Sequence, residues 1–364
     1  MALVPKHIKN LLPYVAGKPI DEVKRELGLS DIIKLASNEN PLGPSKLSLD
    51  ALKQNLDLHR YPDSSSFDLR SRLAVKFNLK IDNVILGSGS EGIMSSIMRT
   101  FLSNDDEIIA TKNSFIGFRV LANASGVKTH WVSMKDYSYD LESMAKYINE
   151  KTKLIYLANP DNPTGTYFSK NKFDSFMKNV PNKVLIILDE AYFEYVSDED
   201  DYPDSMVYRY DNVITLRTFS KVYGLAGLRI GYGFAHENLI SNLMKVKLPF
   251  EPSTAAQIAA MAAIDDTKHL DDTLYINYNN KNKLYKIFNK YNLSYINSFT
   301  NFITLIFNHK NDAMRFCNFM LKNGIILRYL KGFGLDRCVR ITIGTDAETE
   351  VLIKKIDKFY FNVI

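Results

Sequence analysis

An α/β fold is what this sequence predicts: a large layered domain with a mostly parallel sheet, followed by a smaller C-terminal α/β domain. Three observations carry that prediction. From about residue 68 to 235, short apolar runs alternate with helix-period segments, as strands joined by crossover helices do. After residue 250 the rhythm changes to a long helical stretch and then only a few strands. Finally, 364 residues with 46% hydrophobic and 12% aromatic content can bury enough surface for two cores.

The elements follow in order. Residues 1–30 read as a mixed arm, and residues 31–250 as the large domain. Within it the pattern predicts a helix near 67–78, a strand at 83–86, a helix at 90–102 and strands at 107–110 and 128–132. A helix at 141–149 precedes strands at 153–158, 183–188, 213–217 and 229–234. The unbroken run Val184-Leu185-Ile186-Ile187-Leu188 is the clearest of these, because a strand covered on both faces has no polar side to alternate. Residues 251–364 read as the small domain, with a helical stretch over 253–292, strands near 302–307 and 338–343, and helices near 311–323 and 347–359. The stretch over 253–292 would join the two domains and leave a cleft between them.

Bulk properties exclude several classes. A net charge of +5, with lysines and arginines scattered along the chain, gives no run that would track a nucleic-acid backbone. The N-terminus lacks the apolar segment of a signal peptide, and no stretch is long and apolar enough for a membrane span, so a cytoplasmic location is expected. Cys317 and Cys338 are too few and too poorly spaced for zinc and read as free thiols. The six histidines form no metal-binding pattern, so no metal is expected.

Four motifs carry chemistry. Gly87-Ser88-Gly89-Ser90-Glu91-Gly92 follows the strand Asn83-Val84-Ile85-Leu86 and opens a helix, where free amides and the helix dipole suit a phosphate. The run also matches the G-x-G-x-x-G dinucleotide fingerprint, with Glu107 near the spacing of its ribose contact, so a nicotinamide enzyme is a rival reading and a plain turn a third. Asn159-Pro160-Asp161-Asn162-Pro163-Thr164-Gly165 has two prolines that would hold Asn162 at a strand's carboxyl end, although alone it reads as a rigid turn. Asp189 ends a buried strand in Asp189-Glu190-Ala191-Tyr192; it would need a cationic partner there, a ligand or else a salt bridge or helix cap. Ser220-Lys221 precedes the small-residue loop Gly224-Leu225-Ala226-Gly227, and Arg229 follows. Pyridoxal 5′-phosphate needs an amine for its aldehyde, a carboxylate for its pyridinium nitrogen, and an arginine and a hydroxyl for its phosphate. Lys221, Asp189, Arg229 and Ser220 supply one of each, and the combination is far more specific than its members.

In these residues the chain resembles the fold-type I pyridoxal-phosphate aminotransferases, and within them the histidinol-phosphate aminotransferase family, nearly end to end. Further carriers are Pro13-Tyr14-Val15-Ala16-Gly17-Lys18-Pro19, Leu35 to Gly43, Arg60-Tyr61-Pro62-Asp63 and Arg340 to Thr345. The resemblance implies that Lys221 bonds the cofactor aldehyde and that Asp189 keeps the ring nitrogen protonated, making the ring an electron sink. It implies that Asn162 and Tyr192 hydrogen-bond the ring's phenolic oxygen, and that the phosphate sits on the amides of Ser90 and Glu91 with Ser220 and Arg229. Tyr61 would reach the phosphate from the other subunit, which implies a homodimer with shared active sites. Arg328 and Arg340 would grip the anionic end of the substrate beside Asn162, with Tyr14 closing over it from the arm.

Two positions depart from the family pattern. Asn113-Ser114-Phe115 puts Phe115 where a tyrosine commonly stacks on the ring, so stacking survives without the hydroxyl, and Ala16 replaces a proline in the arm. The implied reaction is a ping-pong transamination between glutamate and a phosphorylated amino alcohol or its ketone, with histidinol phosphate as the default. Alternatives are a paralogue acting on dihydroxyacetone phosphate and serinol phosphate or on an aromatic amino acid, and a pyridoxal-phosphate decarboxylase of a phosphorylated amino acid. A non-catalytic binding module on the same fold is a third.

Overall fold

Residues 3–9, 11, 13, 17–54, 56–206 and 210–361 are described by the structure, a computed structural model. In chain order the strands are β1 (Ile33–Leu35), β2 (Val84–Gly87), β3 (Glu107–Thr111), β4 (Lys128–Val132), β5 (Thr152–Ala158), β6 (Leu185–Asp189), β7 (Val213–Thr218), β8 (Gly231–Phe234), β9 (Ser294–Ile296), β10 (Phe302–Ile306), β11 (Ile325–Tyr329) and β12 (Cys338–Thr342). Seven form one sheet in the order β2-β8-β7-β6-β5-β3-β4, in which only β8 runs against its neighbours. The expected mostly parallel sheet is therefore present.

Its central strands β5 and β6 pair in register from Leu154 with Leu185 to Ala158 with Asp189. Their apolar runs are covered on both faces. One face packs on the helices Gly89–Phe101 and Ile116–Ser125 through residues such as Ile97 and Phe118. The other carries Leu86, Phe219 and Tyr232 against Leu73 and a row of alanines, Ala256, Ala259, Ala260 and Ala263.

The second sheet has the order β1-β11-β12-β10-β9 and packs against the helices Lys310–Lys322 and Asp346–Phe361. The helix Thr267–Lys290, about 36 Å long at the usual rise per residue, runs from one core to the other. Near its start Leu270 and Leu274 pack on the first core, and near its end Leu284, Ile287 and Phe288 belong to the second.

Two features show how segments near residues 31 and 250 pack. Ile33–Leu35 pairs in parallel with Ile325–Leu327, so the chain enters the second sheet before it builds the first; three residues give no period a sequence reading can detect. The helix Thr254–Ala263 packs on the first core, because its small residues let the helix Lys46–Lys53 approach, with Ser48 Oγ donating to Ala259 O at 3.0 Å. The helix expected over 141–149 stops at Ala145, and the helical stretch over 253–292 is two helices broken between Ala263 and Thr267. Among the described residues, no helix is long and apolar enough to cross a membrane.

Candidate active site

The carboxyl ends of β5, β6 and β7, the end of β2 and the entry of helix Gly89–Phe101 surround one cavity of about 580 Å³. Open α/β sheets present their loops and helix N-termini on that edge. Ser90, Glu91, Phe115, Asn162, Asp189, Tyr192, Ser220, Lys221 and Arg229 all line it. Residues more than 130 positions apart are thus gathered at one place by the parallel topology.

Asp189 is the last residue of β6 and is buried. Its Oδ2 accepts a hydrogen bond from the Tyr156 hydroxyl at 2.8 Å, while Oδ1 has no hydrogen-bond partner among the described residues. Burial pushes the carboxyl up to about 7, against the pull of the Tyr156 hydroxyl and the Ala191 amide. A buried carboxylate oxygen without a partner invites a cationic donor in the cleft. The structural alternative, a buried salt bridge, belongs to the next residue. Glu190 pairs with Arg217 at 2.8 Å with both side chains enclosed, and Arg217 also lies 3.3 Å from the centre of the Phe193 ring.

Lys221 follows β7 in a tight loop closed by Phe219 N to Ile230 O and Leu225 N to Phe219 O. Burial first, and then the charges of Arg340 and Arg229, bring its amine down to about 8. Its Nζ lies 5.8 Å from the centre of the Tyr192 ring. The Tyr192 hydroxyl accepts from Asn38 Nδ2 at 2.8 Å, and the ring meets Phe302 edge-on at 5.4 Å. Burial pushes that phenol up to about 12, so its proton stays on through neutral pH.

The helix beginning at Gly89 opens onto the cavity with no side-chain cap from Ser88. The first amides of a helix have no intrahelical acceptor and carry the positive end of its dipole. The backbone there leaves no room for a larger residue. A Cβ on Gly231 of β8 would stand 2.5 Å from Ser90 N and 2.7 Å from Gly89 C, and one on Gly89, at φ +75°, would stand 2.9 Å from Arg229 Nη2. Arg229 is exposed and pairs with Glu91 at 3.3 Å, so amides, guanidinium and the buried Ser220 face the same end of the cavity. Glu107, the ribose ligand of the rival dinucleotide reading, sits at the start of β3, at the opposite edge of the sheet. It is tied there to Lys128 at 2.9 Å, His130 at 2.6 Å and Asn149 at 2.8 Å, which hold it down at about 2. That reading is therefore set aside.

Asn162 meets the second sheet: Arg340 Nη1 donates to its side-chain oxygen, and Arg340 Nη2 donates to Ala36 O at 2.9 Å. Arg328 is the register partner of Arg340 on β11. The cleft wall is completed by Phe115, which caps the helix Ile116–Ser125, and by Ile116, Val120 and Leu121 from that helix. Tyr61 does not line the cavity of its own chain; it is 79% exposed and stacked on Phe250 at 4.3 Å. Tyr14 lies outside the described residues. Sequence reasoning missed Ser37, Glu39 and Tyr156. Tyr156 alone had a signal, a hydroxyl-bearing ring two residues before the end of an apolar strand, on the face shared with Ala158.

The residues present fit pyridoxal phosphate: an amine, an unpartnered carboxylate oxygen and a helix entry with no side-chain cap lie within one cavity. Comparison with known proteins agrees. The family model for class I and II aminotransferases matches residues 30–356. The chain is 40% identical over 352 residues to a histidinol-phosphate aminotransferase of Caldicellulosiruptor saccharolyticus, covering 96% of this chain and 98% of that one. Against the histidinol-phosphate aminotransferase of Moorella thermoacetica it is 40% identical over 363 residues, 98% and 93% of the two chains. Among solved structures, the histidinol-phosphate aminotransferase of Sinorhizobium meliloti in complex with pyridoxal-5′-phosphate aligns with a TM-score of 0.91 at 27% identity, over 100% of this chain and 99% of that one. A single mutant of the aspartate aminotransferase of Thermus thermophilus, 18% identical with a TM-score of 0.83 over 99% of each chain, shares the fold.

Proposed function

The chain belongs to the class I and II aminotransferases, and from that premise we propose that it moves an amino group between glutamate or 2-oxoglutarate and a phosphorylated amino alcohol or its ketone, with histidinol phosphate as the default substrate. The observation that carries this reading is the single cavity in which the Lys221 amine, the unpartnered Asp189 oxygen and a bare helix N-terminus converge.

Pyridoxal phosphate, when bound, supplies an aldehyde that condenses with amines and a protonated ring that takes up the electron pair released at the substrate carbon. Lys221 is the residue that would bond to it. With its amine brought down to about 8, Lys221 is neutral often enough near neutral pH to act as nucleophile and as base. Its Nζ would also be the group that takes and returns the proton at the amine-bearing carbon of the substrate. Asp189 would hold the ring nitrogen in its protonated form, and Asn162 and Tyr192 would donate to the phenolic oxygen. The amides of Ser90 and Glu91, the Ser220 hydroxyl and the Arg229 guanidinium would hold the phosphate, while Phe115 would cover the ring face. Arg340 and Arg328 would receive the anionic end of the substrate, with Asn162 beside them.

A homodimer with shared sites completes the reading. Tyr61 does not line its own cavity and stands exposed, stacked on the partly exposed Phe250, an apolar pair that suits a second copy. We place the protein in the cytoplasm, in keeping with a small-molecule transferase. The test is a panel in which glutamate is offered with imidazole-acetol phosphate, dihydroxyacetone phosphate and phenylpyruvate, and kcat/KM values are compared. Imidazole-acetol phosphate should lead; preference for either other ketone, or release of carbon dioxide from a phosphorylated amino acid, would overturn the default.

A further inference from the structure

Tyr156 has no role in the scheme above, yet it makes the hydrogen bond that orients the carboxylate at the heart of the site. It sits on β5 two residues before Ala158, and Ala158 is the register partner of Asp189 on β6. Alternate residues of a strand share a face, so the Tyr156 side chain lies on the Asp189 side of the sheet and reaches along it to the carboxyl edge. Its ring is fixed by stacking on Phe118 of the helix Ile116–Ser125, with centroids 3.9 Å apart and planes 8° apart. The hydroxyl is thereby held 2.8 Å from Asp189 Oδ2, with both residues buried.

That contact selects one oxygen. With Oδ2 engaged, Oδ1 is the lone acceptor left on Asp189, and Asp189 lines the cavity. We propose that Tyr156 is a positioning residue for the cofactor: its hydroxyl holds Oδ2 of Asp189, leaves Oδ1 for the ring nitrogen of pyridoxal phosphate, and keeps the carboxylate in the charged form that a protonated ring requires. The proposal rests on the reading that Asp189 pairs with that nitrogen. The chemistry of the pair supports it. Burial pushes the Tyr156 phenol well above its ordinary value, so it remains a donor across the working pH range and Asp189 the acceptor. The Asp189 carboxyl stands at about 7, and the Tyr156 hydroxyl is first among the groups drawing it down. Without that hydroxyl, burial would push the carboxyl further up, toward the neutral acid that cannot stabilise a cationic ring. The helix that carries Phe118 is also capped by Phe115 and supplies Ile116 and Val120 to the cleft wall, so one element sets both the stacking surface and the Tyr156 ring.

The experiment compares wild type with Tyr156→Phe and Asp189→Asn, purified as full chains. It measures the dissociation constant of pyridoxal phosphate, the pH midpoint of the visible absorption band of the bound cofactor, and kcat and KM for glutamate. Thermal melting of the cofactor-free proteins controls for folding, and phenylalanine keeps the ring that stacks on Phe118. Tyr156→Phe should weaken cofactor binding roughly tenfold, as loss of a hydrogen bond to a charged group does. It should also move the pH midpoint upward, because an unprotonated ring no longer withdraws charge from the imine, and lower kcat with KM for glutamate little changed. Asp189→Asn should do all of these more strongly. Wild-type affinity and midpoint in Tyr156→Phe alongside a defective Asp189→Asn would overturn the role given to Tyr156 and leave that of Asp189 standing. Wild-type behaviour in both would overturn the reading of Asp189 and this proposal with it.

Discussion

Lys221 is an amine kept under strain of charge: enclosed by the cleft and facing Arg340 and Arg229, it is brought down to about 8 from an ordinary value near 10.5. The sign of the consequence is fixed. Below about pH 8 the amine is protonated in folded and unfolded chain alike, and the fold bears the full cost of burying it. Between about 8 and 10.5 the unfolded chain binds more protons, so this group's share of stability rises with pH. The same depression sets reactivity, since only the neutral amine attacks an aldehyde. Capture of pyridoxal phosphate by the cofactor-free protein, followed by rapid-mixing absorbance, should therefore accelerate through about pH 8 and level off above it; a rate still climbing tenfold per unit beyond pH 9.5 would contradict the assignment. Lys221→Ala should lose both the visible band and turnover, and retained turnover would remove Lys221 from the mechanism. Arg340→Ala should raise KM for the phosphorylated partner by roughly tenfold or more, as expected for a lost charged contact. An unchanged KM would contradict its role as an anion ligand.

At the scale of elements, the phosphate end of the site depends on how closely the helix Gly89–Phe101 lies on β8. Gly231 makes that approach possible, because the atoms within 3 Å of an added methyl would be backbone atoms of Ser90 and Gly89, which cannot rotate aside. Gly231→Ala should displace the helix entry and weaken cofactor binding by about tenfold, near 1.4 kcal/mol. Equilibrium dialysis against pyridoxal phosphate reads this directly, and unaltered affinity would show that the entry amides are not the anchor. The pair Glu190–Arg217 between β6 and β7 tests the frame beneath: Glu190→Ala leaves a buried guanidinium short of its closest carboxylate and should cost about 3–5 kcal/mol in urea unfolding. These elements also show what was legible in the sequence. Runs such as Val184 to Leu188 announced buried parallel strands, and the glycines, Asp189 and Lys221 announced the site, because each depends on local composition. The strand Ile33–Leu35 and the helix Ile116–Ser125 did not show. The first is three residues long and defined by a partner 292 positions away, Ile33 with Ile325; the second buries only Phe118 and Ala122 and carries Gly117 near its start. Tyr156 was only half legible for a third reason: its place near the end of an apolar strand shows, but its importance lies in a contact with Asp189 across the sheet, and spacing along one strand does not reveal which neighbour it meets.

For the whole molecule the decisive question is whether one chain makes a complete site. Tyr61 bears on it, since this aromatic residue has 79% of its surface exposed, is stacked on Phe250 and does not line the cavity of its own chain, as a residue serving a second copy would. In a closed twofold dimer the same surface serves both subunits, so each Tyr61 would complete the cavity holding the other subunit's Lys221. That arrangement makes a prediction no single-chain site shares. Lys221→Ala and Tyr61→Ala should each be poorly active alone. When the two are unfolded together and refolded as a mixture, every mixed dimer gains one cavity with an intact Lys221 and an intact Tyr61, while its other cavity carries both defects. With random pairing, activity should recover to about a quarter of wild type, half of the dimers being mixed and each holding one good site of two. If Tyr61 instead served the cavity of its own chain, each mixed dimer would hold two singly damaged sites, and the mixture would do no better than the mean of its parents.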